Sequence, residues 1–153
     1  MDFFGPQNVN LFFQLFLAAF LGAVIGLERE YQGKAAGLRT YTLVALGACL
    51  FTIVSAHGFG GVAGSQSFDP SRIASQVVVG VGFLGAGLIF LKGEAVYGLT
   101  TAAGLWISAA LGVAVGAGLY SAAVFSAFIA LVVLVTLRAF EKRFIRPKRE
   151  GSI

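Results

Sequence analysis

Gly80, Gly82 and Gly85 stand in the order G-x-G-x-x-G within the stretch VVVGVGFLGAG. In a soluble enzyme that spacing forms a tight turn between a strand and a helix, where backbone N–H groups approach a pyrophosphate. The same chemistry needs an acidic residue about twenty positions further on, to hold a ribose. Here the next acidic residue, Glu94, comes nine after Gly85, and Gln76 to Leu91 carries no charge. No nucleotide is expected. Catalytic candidates are equally sparse. His57 is the only histidine and Cys49 the only cysteine, which excludes an internal disulfide and a Cys/His metal cluster within one chain. A hydrolytic triad would have to draw His57 and Asp69 together with a serine, and no nucleophile–base spacing supports one. The residues point to a chain with no catalytic group, no metal-ligand set and no cofactor.

The elements that carry these residues are membrane helices. Of 153 residues, 58% are hydrophobic and 12% charged, about half the charged share of a soluble domain. A span needs about 20 mostly apolar residues. Val9–Leu27, Leu38–Ala56 and Ile73–Leu91 each fit, and Leu99–Leu137 is one run of 39 residues. At about 1.5 Å per residue that run is roughly twice a ~30 Å hydrocarbon core, so it must fold back. GAGLYS, Gly116 to Ser121, offers glycines for the turn. The expected fold is an all-α membrane bundle of five transmembrane helices, residues 9–27, 38–56, 73–91, 99–116 and 120–138, within a membrane domain of residues 1–140. The first run has no Lys or Arg before it, so it reads as a permanent span rather than a cleaved signal.

Basic residues orient the bundle. The first connection and its Arg39 edge hold three, the second and third connections one each, and the chain from Arg138 onward six. With five spans, an outside N-terminus places ten on the cytoplasmic side and one outside, as the positive-inside rule favours. Residues 141–153 then form a basic cytoplasmic tail. Its position directly after a span makes anionic lipid headgroups its partner, and no nucleic acid.

On a helix with about 100° per residue, Gly82 and Gly85 lie about 60° apart, and Gly80 and Gly87 lie together on the opposite side. The third span is therefore expected to be central, with a neighbour packed on each face, because small residues let membrane helices approach closely. Asp69 suits a helix N-cap, with Pro70 following. Asp69, Arg72, Gln76, Gly80 and Gly87 share one stripe about 80° wide. Either Arg72 snorkels to the interface, or Arg72 and Gln76 line a polar vestibule opening outward. Gln14, Ala18, Gly22 and Gly26 form a row on the first span. Thr101, Gly104, Ser108 and Gly112 form another on the fourth, with Trp106 opposite and expected to face protein. These glycines read as helix-packing positions in a tight bundle or a homodimer. No span interior holds an ionisable residue, whereas pumps and proton relays place such groups there. The segment LEREYQGKAAGLRT crowds Glu28, Arg29, Glu30, Lys34 and Arg39 together. It is either a solvated connection, an ion-pair network fixing the first two helices, or a docking patch.

GLERE with GLRT, then DPSRIASQVVVGVGFLGAGLIF, then VYGLTTAAGLWISAALGVAVGAG resemble the MgtC/SapB family of bacterial inner-membrane proteins, in matching order and spacing over Gly22 to Gly118. The resemblance singles out Glu28, Arg29, Glu30, Arg39, Thr40, Asp69, Arg72, Gln76, Thr100, Thr101 and Trp106. It implies a non-enzymatic, multi-pass protein of the cytoplasmic membrane, tied to magnesium and ion homeostasis and to virulence. Such a protein modulates membrane partners, among them the F-type ATP synthase. The longer members carry a C-terminal soluble domain of the ACT type; ending at Ile153, this chain is similar to the short, SapB-like kind. The alternative is a small oligomeric ion or solute transporter or channel, with Arg72, Gln76, Thr100 and Thr101 on its path.

Overall fold

A computed structural model describes residues 5–58, 69 and 71–145. Five helices are long and apolar enough to cross a membrane. They are α1 (Pro6–Tyr31), α2 (Leu38–His57), α3 (Ser71–Leu88), α4 (Leu99–Gly116) and α5 (Tyr120–Val132), the last continuing through two π-helical turns, Val133–Leu137 and Glu141–Ile145, on either side of α6 (Arg138–Phe140). Large apolar side chains such as Phe16, Phe83 and Phe125 are exposed on the outside of the bundle. That is the arrangement of a protein solvated by lipid, with its backbone polar groups satisfied inside helices.

Three boundaries differ from expectation. First, α1 does not stop before the charged segment but runs through Tyr31, so Glu28, Arg29 and Glu30 lie in its last turn. A Schellman motif closes it: Gly33, at φ 61°, donates to the Glu30 carbonyl at 2.9 Å and Lys34 to that of Arg29 at 3.0 Å. The same device turns the chain between α4 and α5, where Gly118 has φ 79° and Leu119 donates to the Ala114 carbonyl at 2.8 Å. Second, α3 ends at Leu88 rather than Leu91. Third, the bundle is not wholly helical. Phe90–Lys92 (β1) and Ala95–Tyr97 (β2) pair antiparallel around Gly93, with Phe90 stacked on Tyr97 at 5.6 Å. Gly93 at φ 62° supplies the tight turn.

Gly98 joins the hairpin to α4 at φ 89°, and a Cβ there would overlap the Leu88 carbonyl. Both conditions demand glycine. Gly98→Ala is therefore expected to destabilise the protein by about 1–3 kcal/mol, read as a lowered unfolding midpoint in detergent. An unchanged midpoint would show that the hairpin junction is free to shift.

Helix α2, not the third span, is gripped on two sides. A Cβ at Gly22 would come within 2.8 Å of Ala45 Cβ, and one at Gly26 within 2.8 Å of Leu38 Cα. From the other side, Gly104 abuts Tyr41, Gly112 abuts Ala45 and Ala48, and Gly116 abuts Cys49 and Thr52. Polar groups tie the same seam. The Tyr41 hydroxyl donates to the Thr101 carbonyl at 3.0 Å, and the buried Ser108 hydroxyl donates to the Tyr41 carbonyl at 2.9 Å. In lipid such close backbone approach and interhelical hydrogen bonding hold helices together. Of the glycines on α3, Gly85 meets Ala102 at 3.5 Å, whereas Gly80, Gly82 and Gly87 face open space. Of the two neighbours expected for the third span, α4 meets the Gly85 face, and among the described residues nothing covers Gly80 and Gly87. α3 packs through Val81 against Ala48 and Ala109, and leaves most of its surface bare.

Candidate functional site

The residues singled out in the sequence divide between the two ends of the bundle. α1 ends, α2 and α4 begin, and α5 finishes at one end, here called the basic end. Glu28, Arg29, Glu30, Arg39, Thr40, Thr100 and Thr101 gather there. Asp69, Arg72 and Gln76 stand at the opposite end, on the first turns of α3. A path joining Arg72 and Gln76 directly to Thr100 and Thr101 is therefore not assembled by one cluster. Trp106 corrects an expectation: it is 50% exposed. With Ala103 and Ala110 it forms an exposed stripe, because among the described residues no helix covers the side of α4 opposite its small-residue row.

At the basic end each residue of the ERE triplet has a separate task. Arg29 is 1% exposed, and its Nε donates to Glu28 Oε2 at 2.5 Å. Glu30 reaches across the connection, and its Oε2 accepts the Leu38 N–H at 2.8 Å. It thereby caps α2, where a carboxylate also meets the positive end of the helix dipole. A Cβ at Gly37 would stand 2.7 Å from that oxygen, so Gly37 gives the carboxylate its room. The Glu30 cap ties α1 to the start of α2, the ion pair lies within the last turn of α1, and Gly33, Lys34 and Ala35 between the two helices are exposed. Arg39 and Thr40 are exposed on the first turn of α2. Thr101 is buried and Thr100 exposed on the first turn of α4.

At the far end, Asp69 Oδ1 accepts the Ser71 N–H at 2.9 Å. That hydrogen bond and the nearby Arg72 charge hold the exposed Asp69 carboxyl below its usual range. Arg72 and Gln76 are exposed. The Gly/Ser-rich loop between α2 and α3, Pro70, and Arg146, Lys148 and Arg149 of the tail lie outside the described residues.

Two cavities accompany these clusters. The larger, about 890 Å³, is a groove between α2 and α3 running from Arg39 and Thr40 at the basic end to Gln76 at the other. Between those polar ends its walls are apolar, and Gly47 and Gly80 open its floor, with nothing within 4 Å of a Cβ at either position. Gly47 was not apparent as a site residue, since a single glycine in α2 has no small partner at helical spacing to mark it. The smaller cavity, about 430 Å³, lies at the basic end and includes Arg29, Lys34, Thr100, Arg138 and Glu141. Its members come from three separated segments, so no local spacing could gather them. Among the described residues no group of three His, Cys, Asp or Glu side chains is placed to hold a metal ion.

The model of the MgtC family matches residues 15–143. The chain belongs to the MgtC family. It is similar to a protein of Escherichia coli K12 named "Putative magnesium transporter YhiD", with 44% identity covering 90% of this chain and 67% of that protein. It is also similar to the protein MgtC of Brucella abortus strain 2308, with 53% identity covering 75% and 46%. An uncharacterised protein of Haemophilus influenzae is 46% identical over 88% of this chain and 57% of its own length. The chain thus spans about half to two thirds of the curated relatives it matches. No solved structure matches. The matched region of this chain includes α2 to α4, the ERE triplet and the residues lining both cavities.

Proposed function

We propose that this MgtC-family chain is a non-enzymatic, multi-pass protein of the bacterial inner membrane that serves magnesium and ion homeostasis by docking a membrane partner. The observation that carries the proposal is the groove between α2 and α3. Its lining is apolar between Arg39 and Thr40 at one end and Gln76 at the other, and Gly47 and Gly80 leave room for the backbone of another helix. Small residues facing open space on a membrane helix are the usual seat of a second helix. Gly82 and Gly87, also uncovered, extend the bare surface around α3. The family resemblance makes the F-type ATP synthase the partner to test first, and extends the role to survival in a host. A second copy of the chain in the groove is the other outcome. The ten-to-one partition of basic residues supports an outside N-terminus and a basic end in the cytoplasm.

Filling the groove separates this reading from transport. Gly47→Leu and Gly80→Leu should each leave the folded protein in the membrane while abolishing rescue of a deletion strain in low magnesium and co-purification of the partner. Full rescue by both variants would sink the docking reading. The magnesium-transporter name of the E. coli relative, and a groove that reaches both ends of the bundle, favour transport as the second reading. It requires magnesium flux in proteoliposomes of the purified protein, lost in Gln76→Leu.

A further inference from the structure

We propose that the cavity at the basic end binds a phosphate group. It is independent of the docking reading. Three cations, Arg29, Lys34 and Arg138, line it against one carboxylate, Glu141. Arg29 is almost wholly buried. A guanidinium has five N–H donors, and the ion pair to Glu28 occupies the one on Nε. Glu28 itself is not part of the lining. Arg138 Nη1 is buried with no hydrogen-bond partner. An unmet charged donor in a cavity is costly and calls for an acceptor.

The rest of the wall suits the same ligand. Thr100, on the first turn of α4, opens into the cavity, and α4 has no side-chain cap because its N-cap is Gly98. Its leading N–H groups and dipole present partial positive charge. The opposite wall is made by the π-helical turn Val133–Leu137. A π turn takes an extra residue into the helix and re-aims the side chains beyond it, and Arg138 is the first residue after this one. Two arginines, a lysine, a hydroxyl and a helix N-terminus around one space form the donor set of a tetrahedral oxyanion, for which arginine offers paired donors. The phosphate can be free or the headgroup of a lipid, whose chains would lie along the apolar Val133, Leu134 and Leu137.

Full-length protein in a zwitterionic detergent distinguishes the sources, with inorganic phosphate and lyso-phosphatidic acid titrated separately and binding followed by calorimetry. Binding of inorganic phosphate, weakened about tenfold or more in Arg138→Gln and Lys34→Gln, supports a free anion; each lost charge-assisted hydrogen bond accounts for at least that factor. Binding of lyso-phosphatidic acid alone, weakened likewise, supports a lipid headgroup. Arg72→Gln, at the opposite end, should leave either affinity unchanged. No binding of either probe, equal binding by Arg138→Gln, or an equal loss in Arg72→Gln overturns the proposal. Arg138 and Lys34 are chosen because neither is buried in the ion pair that closes α1, so both variants should fold.

Discussion

Glu28→Gln should destabilise the protein by about 3–5 kcal/mol, because it removes one partner of a buried ion pair and strands the other. The substitution keeps the shape of the side chain, so the loss reports charge rather than packing. Arg29 has almost no exposure, and Glu28 is the counter-charge on its Nε. The double variant Glu28→Gln/Arg29→Met should recover most of the loss, since an apolar side chain of similar length leaves no uncompensated charge. Thermal unfolding of the three proteins in detergent checks both expectations. A single variant within about 1 kcal/mol of the parent would place Arg29 in a far more polar setting than its burial implies.

Gly112→Val is the second large effect, expected at about 3 kcal/mol, toward the upper end of overpacking costs. Its Cβ would meet the Ala45 carbonyl, which is backbone, and Ala48 Cβ at 2.9 Å. Neither can yield without α2 and α4 moving apart, and that would stretch the Tyr41–Thr101 and Ser108–Tyr41 hydrogen bonds. The matched control is Gly87→Val, where nothing lies within 4 Å. It should change stability by under about 1 kcal/mol, and if anything raise it, because valine ranks above glycine in helix propensity. Equal midpoints for the two variants would refute the assignment of α2–α4 as the central seam.

The contrast between these glycines marks what the sequence could tell. Five spans were legible because apolar run length alone decides them, and the fold-back inside Leu99–Leu137 because no bilayer accommodates its length. The fate of each glycine was not legible. Periodicity reports which residues share a face, not whether a neighbour covers it, so the α3 stripe and the α4 stripe look alike and only one is covered. Trp106 misled for the same reason. The hairpin was hidden because Phe90, Leu91, Ala95, Val96 and Tyr97 are as apolar as the span before them, and only the turn at Gly93 separates the two. Arg29 was hidden by its charge. Yet the row Gln14, Ala18, Gly22 and Gly26 points one more turn along α1 toward it. Gln14, Ala18, Leu21, Gly22, Ile25, Gly26 and Arg29 are the buried residues of that face. A charged residue continuing a buried stripe was the signal for the site. For the basic-end cavity there was none, since Arg29, Thr100 and Arg138 meet only through the packing of α1, α4 and the end of α5.

Gly98, wedged under the Leu88 carbonyl, has a mechanical consequence. It holds the end of α3 directly against the start of α4, with the exposed hairpin looping out between them. α3 buries only Val81 and Gly85 along its length, and it forms one wall of the long groove. A partner helix entering that groove and tilting α3 would therefore turn the first residues of α4 with it. Thr100 is among them. Gly98 is thus the point at which any tilt of α3 would be passed to the α4 wall of the basic cavity.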